Sequence, residues 1–386
     1  MAYRGRKRKT SPLAVAVTLI LAAVCFAACG ILLPRLALSA GTQKPASGSE
    51  SAGVEIMNKL DMYVTNRMAG ALEGLEGVEV IRKEYWLSDS DIVAPKPNPD
   101  NYGTATDPAE LAWLNERAVE LFGGRELLFN EDTPVWSGDK IYYYLDETIL
   151  VVTWKQVIDG GTYTFSEVKI AHPSQFRRFL AGGEFGSDKQ YVTTEMAASV
   201  NAVVASSADF YKFRHYGAVV YQGQLQRFEG NNVDTCFIDD KGDLLFQYRG
   251  DMKSEEDAKR FIEENNIRFS LAFGPVMIED GVNKVPSSYA IGEINNNYTR
   301  AAICQMGQLH YLLVNAGQEG ENVRRQPLKN FTDNLIAMGV PRAYALDGGQ
   351  TAVISMDGKL ISRPDYGTQR QISDIIYFAT ALPDGG

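Results

Sequence analysis

From Lys140 to the C-terminus, the sequence is divided into short runs rich in β-branched and aromatic residues, separated by turns that contain glycine. Runs of this kind favour β-strands, and Asp240-Lys241-Gly242 and Met306-Gly307-Gln308 are typical of hairpin turns. Helical patterns are fewer and are dispersed among the strands, at Thr194 to about Val204, Ser254 to Asn265 and Pro327 to Met338. The pattern predicts a mixed, strand-rich α+β domain over residues 141–386 rather than a regularly alternating parallel sheet.

The N-terminal region has a different character, because a basic tail precedes a long apolar segment. Residues 1–11 contain five positive charges, and Pro12 to Leu33 contains no charged residue. At about 1.5 Å per residue, the apolar segment is long enough to cross a hydrocarbon core of roughly 30 Å. Because only Arg35 follows it closely, the charge asymmetry predicts a cytoplasmic N-terminus. Residues 12–33 are therefore interpreted as a single-pass signal-anchor with the body of the protein outside the cell.

Two other interpretations of this segment remain, a cleaved signal peptide and a lipid-modified Cys29 after Phe26-Ala27-Ala28. The apolar run continues beyond Cys29 through Ile31-Leu32-Leu33, unlike the polar stalk of a lipoprotein. It also exceeds the roughly 7 to 15 apolar residues of an ordinary signal peptide. An uncleaved anchor is the interpretation that these features favour.

Between the anchor and the strand-rich domain, we expect a stalk and a small helical segment. Residues 34–53 are mostly small and polar, which is typical of a flexible stalk. Residues 54–140 are expected to form a helical prelude, with one helix ending near Leu72 and a proline-rich loop over 88–106. A second helix is expected to begin at Asp107 as N-cap and to end before Gly123.

Charge and cysteine content exclude several functional classes. The formal net charge is −10 although the first nine residues carry five positive charges, so the body is strongly acidic and duplex nucleic acid is an unsuitable partner. Cys25 and Cys29 lie in the apolar segment, which leaves Cys236 and Cys304. These two cysteines could form a disulfide bond outside the cell, but their apolar surroundings favour buried thiols. With three His in the chain, no His/Cys metal spacing exists, and a zinc hydrolase is not expected.

Two carboxylates follow apolar runs and are candidate functional groups. Asp209 precedes Phe210 and Tyr211, with Arg214 nearby, and such surroundings could tune its ionisation for catalysis. The second, Asp347, opens Asp347-Gly348-Gly349-Gln350-Thr351, where two glycines would let backbone N–H groups approach an anion and Thr351 supplies a hydroxyl. Ordinary turns explain both patterns equally well.

Two arginines are candidate anion ligands. Arg300 and Arg370 each stand just before a run that contains β-branched residues. A guanidinium in such a position can bind a phosphate through two parallel hydrogen bonds. The alternative is a solvated arginine at the edge of a strand.

The order of these patches along the chain resembles that of the phosphodiester glycosidase family, in its bacterial exopolysaccharide-related branch, from about Thr148 to Ala379. The matching segments are Asn201-Ala202, Asp209-Phe210-Tyr211, Phe213-Arg214, Gly217-Ala218-Val219-Val220, Phe273-Gly274-Pro275, Arg300 to Gln305, His310-Tyr311, Ala343-Tyr344, Leu346-Asp347-Gly348-Gly349, Gly358-Lys359, Pro364, and Arg370 with Ser373 to Tyr377.

This resemblance implies an enzyme that cleaves the bond between a sugar and a phosphodiester. It points to Asp209 and Asp347 as the two catalytic carboxylates. The other site residues that it implies are phosphate ligands and residues lining the anion: Arg214, Arg300, Arg370, Gly348, Gly349 and Thr351. No cofactor is implied, although Asp and water ligands would also suffice for a divalent ion beside the phosphate.

The chain departs from the family pattern at three places. Typical bacterial members have Asn-Gly-Asp where this chain has Ser207-Ala208-Asp209, and Asp-Gly-Gly-Gly-Ser where it has Asp347-Gly348-Gly349-Gln350-Thr351. An Asp-Gly-Arg motif is replaced by Ala316-Gly317-Gln318. Two hypotheses follow. The protein is either a divergent phosphodiester glycosidase acting on an envelope glycan or exopolysaccharide, or a catalytically weak or inactive protein that binds such a phosphoglycan.

Overall fold

Antiparallel strands dominate the computed structural model, which describes residues 81–130, 133, 140–230, 232–291, 293–317, 319 and 325–383. All of these residues belong to the unit of internal contacts that begins at Glu79. Within these ranges, no helix is both long and apolar enough to cross a membrane. The predicted basic tail, anchor, stalk and first prelude helix lie outside the described residues, as do Cys25 and Cys29.

Nineteen strands occur in the described part of the chain. In chain order they are β1 (Tyr102–Ala105), β2 (Ile141–Leu145), β3 (Ile149–Ile158), β4 (Gly161–Ile170), β5 (Phe176–Leu180), β6 (Val204–Ser207), β7 (Gly217–Tyr221), β8 (Gln224–Glu229), β9 (Thr235–Ile238), β10 (Leu244–Gln247), β11 (Phe269–Leu271), β12 (Val276–Glu279), β13 (Val282–Asn283), β14 (Arg300–Gly307), β15 (His310–Gly317), β16 (Arg342–Leu346), β17 (Ile354–Met356), β18 (Lys359–Leu360) and β19 (Asp374–Phe378).

These strands form one large sheet and three smaller ones. The large sheet has the order β1-β2-β3-β4-β15-β14-β16-β12-β13, and a five-stranded sheet has the order β18-β17-β6-β19-β5. A three-stranded sheet β10-β9-β11 and the pair β7-β8 complete the set within the described residues. Both predicted hairpin turns are confirmed, since β9 pairs with β10 and β14 pairs with β15, each antiparallel. The predicted strand-rich α+β class is confirmed for the described residues.

Four α-helices lie among the described residues: α1 (Pro108–Phe122), α2 (Thr193–Ser199), α3 (Glu255–Glu264) and α4 (Leu328–Ala337). The predicted start of α1 is confirmed, because the Asp107 side chain accepts hydrogen bonds from the backbone N–H groups of Ala109 and Glu110. Gly123, with φ of +61°, ends the helix. Ser254 caps α3 by accepting from the Asp257 N–H. Local capping chemistry was therefore sufficient to locate these helix starts.

The segment from 102 to 130 contributes to the large sheet. The expected loop over 88–106 is wrong at its end, where β1 pairs with β2 along the edge of the sheet. A Cβ on Gly103 would lie 2.2 Å from the Tyr143 ring, so a larger residue at this position would have to displace that ring. Four residues without apolar alternation carry no strand signal of their own, and the strand depends on its partner. Helix α1 packs its apolar stripe into the core beside this edge.

The large sheet is buried on both faces, which explains why its central strands are continuously apolar. In β14, Ala302 and Cys304 face the core that contains α1 and α4, whereas Ala301 and Ile303 face the core shared with the five-stranded sheet. Successive side chains of a strand point to opposite faces, so both sets must be apolar. Cys236 and Cys304 are both buried free thiols, which confirms the favoured interpretation.

Candidate functional site

The two predicted carboxylates follow strands from different sheets that meet at their ends. Asp209 lies two residues after β6 of the five-stranded sheet, and Asp347 directly follows β16 of the large sheet. The Asp347 N–H donates to the Ala208 carbonyl oxygen over 3.1 Å, and the Ser207 hydroxyl lies 3.5 Å from the Asp347 carbonyl oxygen. The structure thus brings the two acid-bearing segments together, at the residues where the chain departs from the family pattern.

Asp347 is the carboxylate of this pair that reaches the surface, with 11% of its side chain exposed. Its Oδ2 accepts a hydrogen bond from Nη2 of Arg370 over 2.9 Å. Burial raises the pKa of Asp347, and Arg370, the Thr351 hydroxyl and Arg214 oppose that rise. The group is therefore a partly desolvated carboxylate with two arginines close to it.

Arg370 is held in place by an aromatic ring as well as by Asp347. Its guanidinium carbon lies 4.5 Å from the centroid of the Phe210 ring, within the range of a cation–π contact. Phe210 in turn stacks on Phe213, with ring centroids 4.2 Å apart. The Arg370 side chain remains 44% exposed, so it can still reach an anion in solvent.

Arg214 is the second arginine near Asp347 and has unused hydrogen-bonding capacity. Its Nε is buried and makes no hydrogen bond with the described residues. The positive charge of Arg214 opposes the rise in the pKa of Asp347 and contributes to the lowered pKa of Glu293, so the guanidinium acts electrostatically on both carboxylates. A buried donor without an acceptor is costly, and an anion bound beside Asp347 would satisfy it.

The double glycine has a packing role that the sequence did not reveal. A Cβ on Gly348 would lie 2.5 Å from the Thr299 carbonyl oxygen, and Gly349 has a φ of +67°. The Gly349 N–H donates to that same oxygen over 2.8 Å, and the Gly348 N–H lowers the pKa of Asp347 by hydrogen bonding. Both N–H groups therefore have acceptors within the protein, contrary to the expectation that they approach a phosphate.

Thr351 and Gln350 complete this turn. The Thr351 side chain is buried, and its hydroxyl donates to the Gly348 carbonyl oxygen over 2.7 Å. Gln350 has no left-handed backbone conformation, so a glycine is not needed at this position. Its carbonyl oxygen accepts from the Arg370 N–H over 3.3 Å. The chain therefore carries Gln350 in place of the family's glycine without backbone strain at this position.

Asp209 is completely buried, and both of its carboxylate oxygens are hydrogen bonded within the protein. Oδ1 accepts from Arg178 Nη2 over 2.8 Å and from the Tyr211 N–H over 2.9 Å, and Oδ2 accepts from the Ala272 N–H over 2.8 Å. Burial raises the pKa of Asp209 to about 7, with Arg178 opposing the rise and Asp374 adding to it. The carboxylate has no surface on which a substrate could be placed.

Arg178 and Asp374, which were not among the predicted site residues, share this buried cluster. Asp374 Oδ2 accepts from Arg178 Nη2 over 2.6 Å, and its Oδ1 accepts from the Phe210 N–H over 3.0 Å. Phe210 has a φ of +61°, a strained conformation for a bulky residue, and this hydrogen bond helps to hold it. A signal was present in the sequence, because Arg177 and Arg178 interrupt an apolar strand, and a buried arginine requires polar partners.

Arg300 is buried and already engaged with the protein backbone. Its Nε donates to the Gln326 carbonyl oxygen over 3.1 Å, and its Nη2 donates to those of Glu293 over 3.3 Å and Asn296. Burial lowers the pKa of Arg300 to about 10. In this arrangement Arg300 fixes the loop before β14, because its guanidinium donates to carbonyl groups of that loop.

A metal site is not apparent in the described part of the chain, since no three His, Cys, Asp or Glu side chains there are grouped so that they could hold an ion. Gln318, the third departure from the family pattern, lies outside the described residues.

Comparison with known proteins identifies the domain that contains this site. No curated protein matches the sequence. A hypothetical protein from Synechocystis has the same fold, with a TM-score of 0.50 at 14% identity, covering 64% of this chain and 64% of that protein. The catalytic domain of zebrafish N-acetylglucosamine-1-phosphodiester α-N-acetylglucosaminidase, auto-inhibited by its pro-peptide, has a TM-score of 0.48 at 18% identity, with coverages of 65% and 85%. The sequence model of the phosphodiester glycosidases matches residues 199–379, a segment that includes Asp209, Asp347 and Arg370.

Proposed function

We propose that the protein cleaves the bond between the anomeric carbon of a sugar and a phosphodiester in an envelope glycan or exopolysaccharide. The observation that carries this proposal is the pairing of Asp347 with Arg370 at the surface, in a segment of the phosphodiester glycosidase family. Arg214, with its buried Nε lacking an acceptor, supports the presence of an anion at this place.

The proposed reaction breaks the bond between C1 and the bridging oxygen. The bonding electron pair leaves with the phosphate, and positive charge develops at C1 and the ring oxygen. The Asp347 carboxylate stabilises this charge or attacks C1, and water then supplies the new anomeric hydroxyl. A phosphate monoester is a good leaving group, so the main requirement is neutralisation of its growing negative charge. Arg370 and Arg214 supply that neutralisation, and their hydrogen bonds strengthen as the bond breaks.

Asp209 has a different role in this proposal from the one that the resemblance implied. Because its carboxylate is fully buried, we infer that it is a positioning residue rather than a group that contacts the sugar. It shares Arg178 with Asp374, and Asp374 holds the strained Phe210 whose ring supports Arg370. The arrangement of Arg370 over Asp347 thus depends on the buried cluster.

The cellular location is proposed from the N-terminal sequence. The basic tail and the uncharged segment 12–33 favour a single-pass anchor with the N-terminus in the cytoplasm and the body outside. An enzyme held there would meet phosphodiester-linked glycans of the cell envelope.

The alternative is a protein that binds a phosphoglycan without cleaving it. The observations that favour this alternative are the burial of Asp209 and the engagement of Arg300 with backbone carbonyl groups. Because Asp209 is buried, Asp347 is the single carboxylate of the predicted pair that is accessible to solvent.

A cleavage assay on the full chain in detergent separates the two functions. With N-acetylglucosamine 1-(4-nitrophenyl phosphate) in ¹⁸O-labelled water, we expect release of unlabelled 4-nitrophenyl phosphate, because the bond to phosphorus stays intact. Saturable binding without turnover would favour the binder, and ¹⁸O in the phosphate would contradict a glycosidase.

The same assay tests the role of Asp347. We expect Asp347→Asn to lower kcat by a factor of about 100 or more, since it removes the carboxylate charge from the transition state. Asp357→Asn is the matched control, because Asp357 is an exposed aspartate with a left-handed backbone that Asn tolerates. Equal activity of the two variants would refute the assignment of Asp347.

A further inference from the structure

Tyr366 is a large aromatic side chain that the fold leaves at the surface. It is 81% exposed, and it lies in the short 3₁₀ turn Asp365–Gly367 with a φ of +61°. A left-handed conformation is unfavourable for a bulky residue, so this turn presents the ring at some cost in free energy. Because the ring is exposed, no burial of its apolar surface offsets that cost.

This turn lies beside the loop that carries Asp347. The segment from Asp365 to Arg370 runs along the turn after Asp347: the Arg370 N–H donates to the Gln350 carbonyl oxygen over 3.3 Å, and Gln350 Nε2 donates to Thr368 Oγ1 over 3.3 Å. At the other end of the segment, Asp365 Oδ2 lies 3.7 Å from the position of a Cβ built on Gly349. Tyr366 therefore lies at the same edge of the candidate site as Arg370, which is four residues away in the chain.

Two further arginines surround Tyr366. The guanidinium carbon of Arg325 lies 5.9 Å from the centroid of its ring, and Nε of Arg325 is 2.9 Å from Asp365 Oδ1. Arg363 is exposed, and its Nε lies 3.7 Å from the position of a Cβ built on Gly367. Asp365 holds Arg325 in place, because Asp365 is buried and also accepts a hydrogen bond from the Thr299 hydroxyl.

An exposed aromatic face between cationic groups matches the chemistry of a sugar phosphate. The C–H face of a sugar ring packs on the electron-rich face of an aromatic ring, and guanidinium groups bind phosphate oxygens in pairs. The chain has a formal net charge of −10, so a polyanion would be repelled except where arginines are concentrated. At this edge of the site, Arg325, Arg363 and Arg370 supply that concentration.

We propose that Tyr366, Arg325 and Arg363 form a second subsite that binds the sugar phosphate unit next to the one at Asp347 and Arg370. The substrate is then a polymer of repeating sugar phosphate units rather than a single terminal diester. The assignment of the first subsite rests on the proposed function, whereas the second subsite is defined by binding alone.

The test uses the full chain in detergent and compares methyl phosphodiesters that contain one and two N-acetylglucosamine 1-phosphate units. We expect kcat/KM for the two-unit oligomer to exceed that for the one-unit substrate about tenfold, the contribution of one aromatic contact. In the Tyr366→Asn variant, the ratio of kcat/KM for the two-unit oligomer to kcat/KM for the one-unit substrate should fall to about one. Asn removes the ring but tolerates the left-handed backbone. Tyr366→Phe should keep the ratio, and Arg363→Gln should lower it.

Trp113→Ala is the matched control, because Trp113 is another exposed aromatic residue, on α1, and 44% of it is accessible. This variant should keep both the activity and the ratio. Calorimetric affinities for the same oligomers give the ratio independently of turnover, so the subsite is tested even if the protein cleaves neither. A ratio near one in the native protein, or an unchanged ratio in a Tyr366→Asn variant with native circular dichroism, would overturn the proposal.

Discussion

Gly348 matters in the candidate site because no space is left for a side chain there, and not because of its backbone conformation. Its φ of −106° is available to any residue, but a Cβ would lie 2.5 Å from the Thr299 carbonyl oxygen. That oxygen also accepts the Gly349 N–H, so it cannot move without losing this hydrogen bond. The approach of the two backbones fixes the loop that presents Asp347.

This close approach makes Gly348→Ala a sharp test of the site geometry. We expect the free energy of unfolding to fall by about 2 kcal/mol or more, because overpacking against backbone cannot be relieved by a rotamer change. Gly307→Ala is the control, since that position has no left-handed φ and no neighbour within 4 Å of a Cβ. Chemical denaturation of the full chain, followed by near-UV circular dichroism, gives both values. Equal effects of the two substitutions would show that the Thr299 contact is not restrictive.

Among the structural elements, the ends of β5, β6 and β19 matter most, because they enclose the buried cluster of Arg178, Asp209 and Asp374. One positive charge faces two carboxylates, and all three side chains are fully inaccessible to solvent. Burial is the main reason that the pKa of Asp209 is raised to about 7, and the negative charge of Asp374 adds to the rise although Arg178 opposes it. The folded protein therefore holds a proton here that the unfolded chain releases near pH 4.

This proton gives a pH dependence of stability with a definite sign. Because the folded pKa is raised, the stabilisation from Asp209 is fully present below about pH 4 and is lost as the pH rises through about 7. The difference in unfolding free energy between the native chain and Asp209→Asn should thus shrink by at least about 1 kcal/mol from pH 4.5 to pH 8. Denaturation at both pH values measures it, with the exposed Asp357→Asn as control. A difference that stays constant or grows with pH would contradict the shared proton.

At the scale of the whole molecule, charge is distributed unevenly along the chain. The first nine residues carry five positive charges, whereas the chain as a whole has a formal net charge of −10. Such a distribution is typical of a protein whose basic end stays in the cytoplasm while an acidic body is exported.

Protease treatment of intact, wall-stripped cells tests this topology. We expect protease to remove the body and to leave a short fragment that retains an N-terminal epitope tag, because the membrane protects the cytoplasmic end. Permeabilised cells, in which the tag should also be lost, are the control. A soluble protein in the medium that begins near Ala40 would instead indicate cleavage of a signal peptide.

The sequence by itself determined the features that depend on neighbouring residues. Hairpin turns, the caps at Asp107 and Ser254, and the burial of Cys236 and Cys304 were predictable, because turn geometry, capping and apolar runs are local properties. The resemblance to the phosphodiester glycosidases was recognisable from the order of short motifs between about Thr148 and Ala379, and the sequence model of that family matches residues 199–379.

Only the tertiary structure decided which of those motif residues can meet a substrate. Arg178 lies 31 residues from Asp209 and 196 residues from Asp374, and no local pattern joins the three. The burial of Asp209, the capture of Arg300 by loop carbonyl groups and the pairing of β1 all depend on distant strands brought together. A residue's identity sets what chemistry it can perform, but its exposure and partners are set by packing, because solvation and hydrogen bonding are properties of the assembled fold.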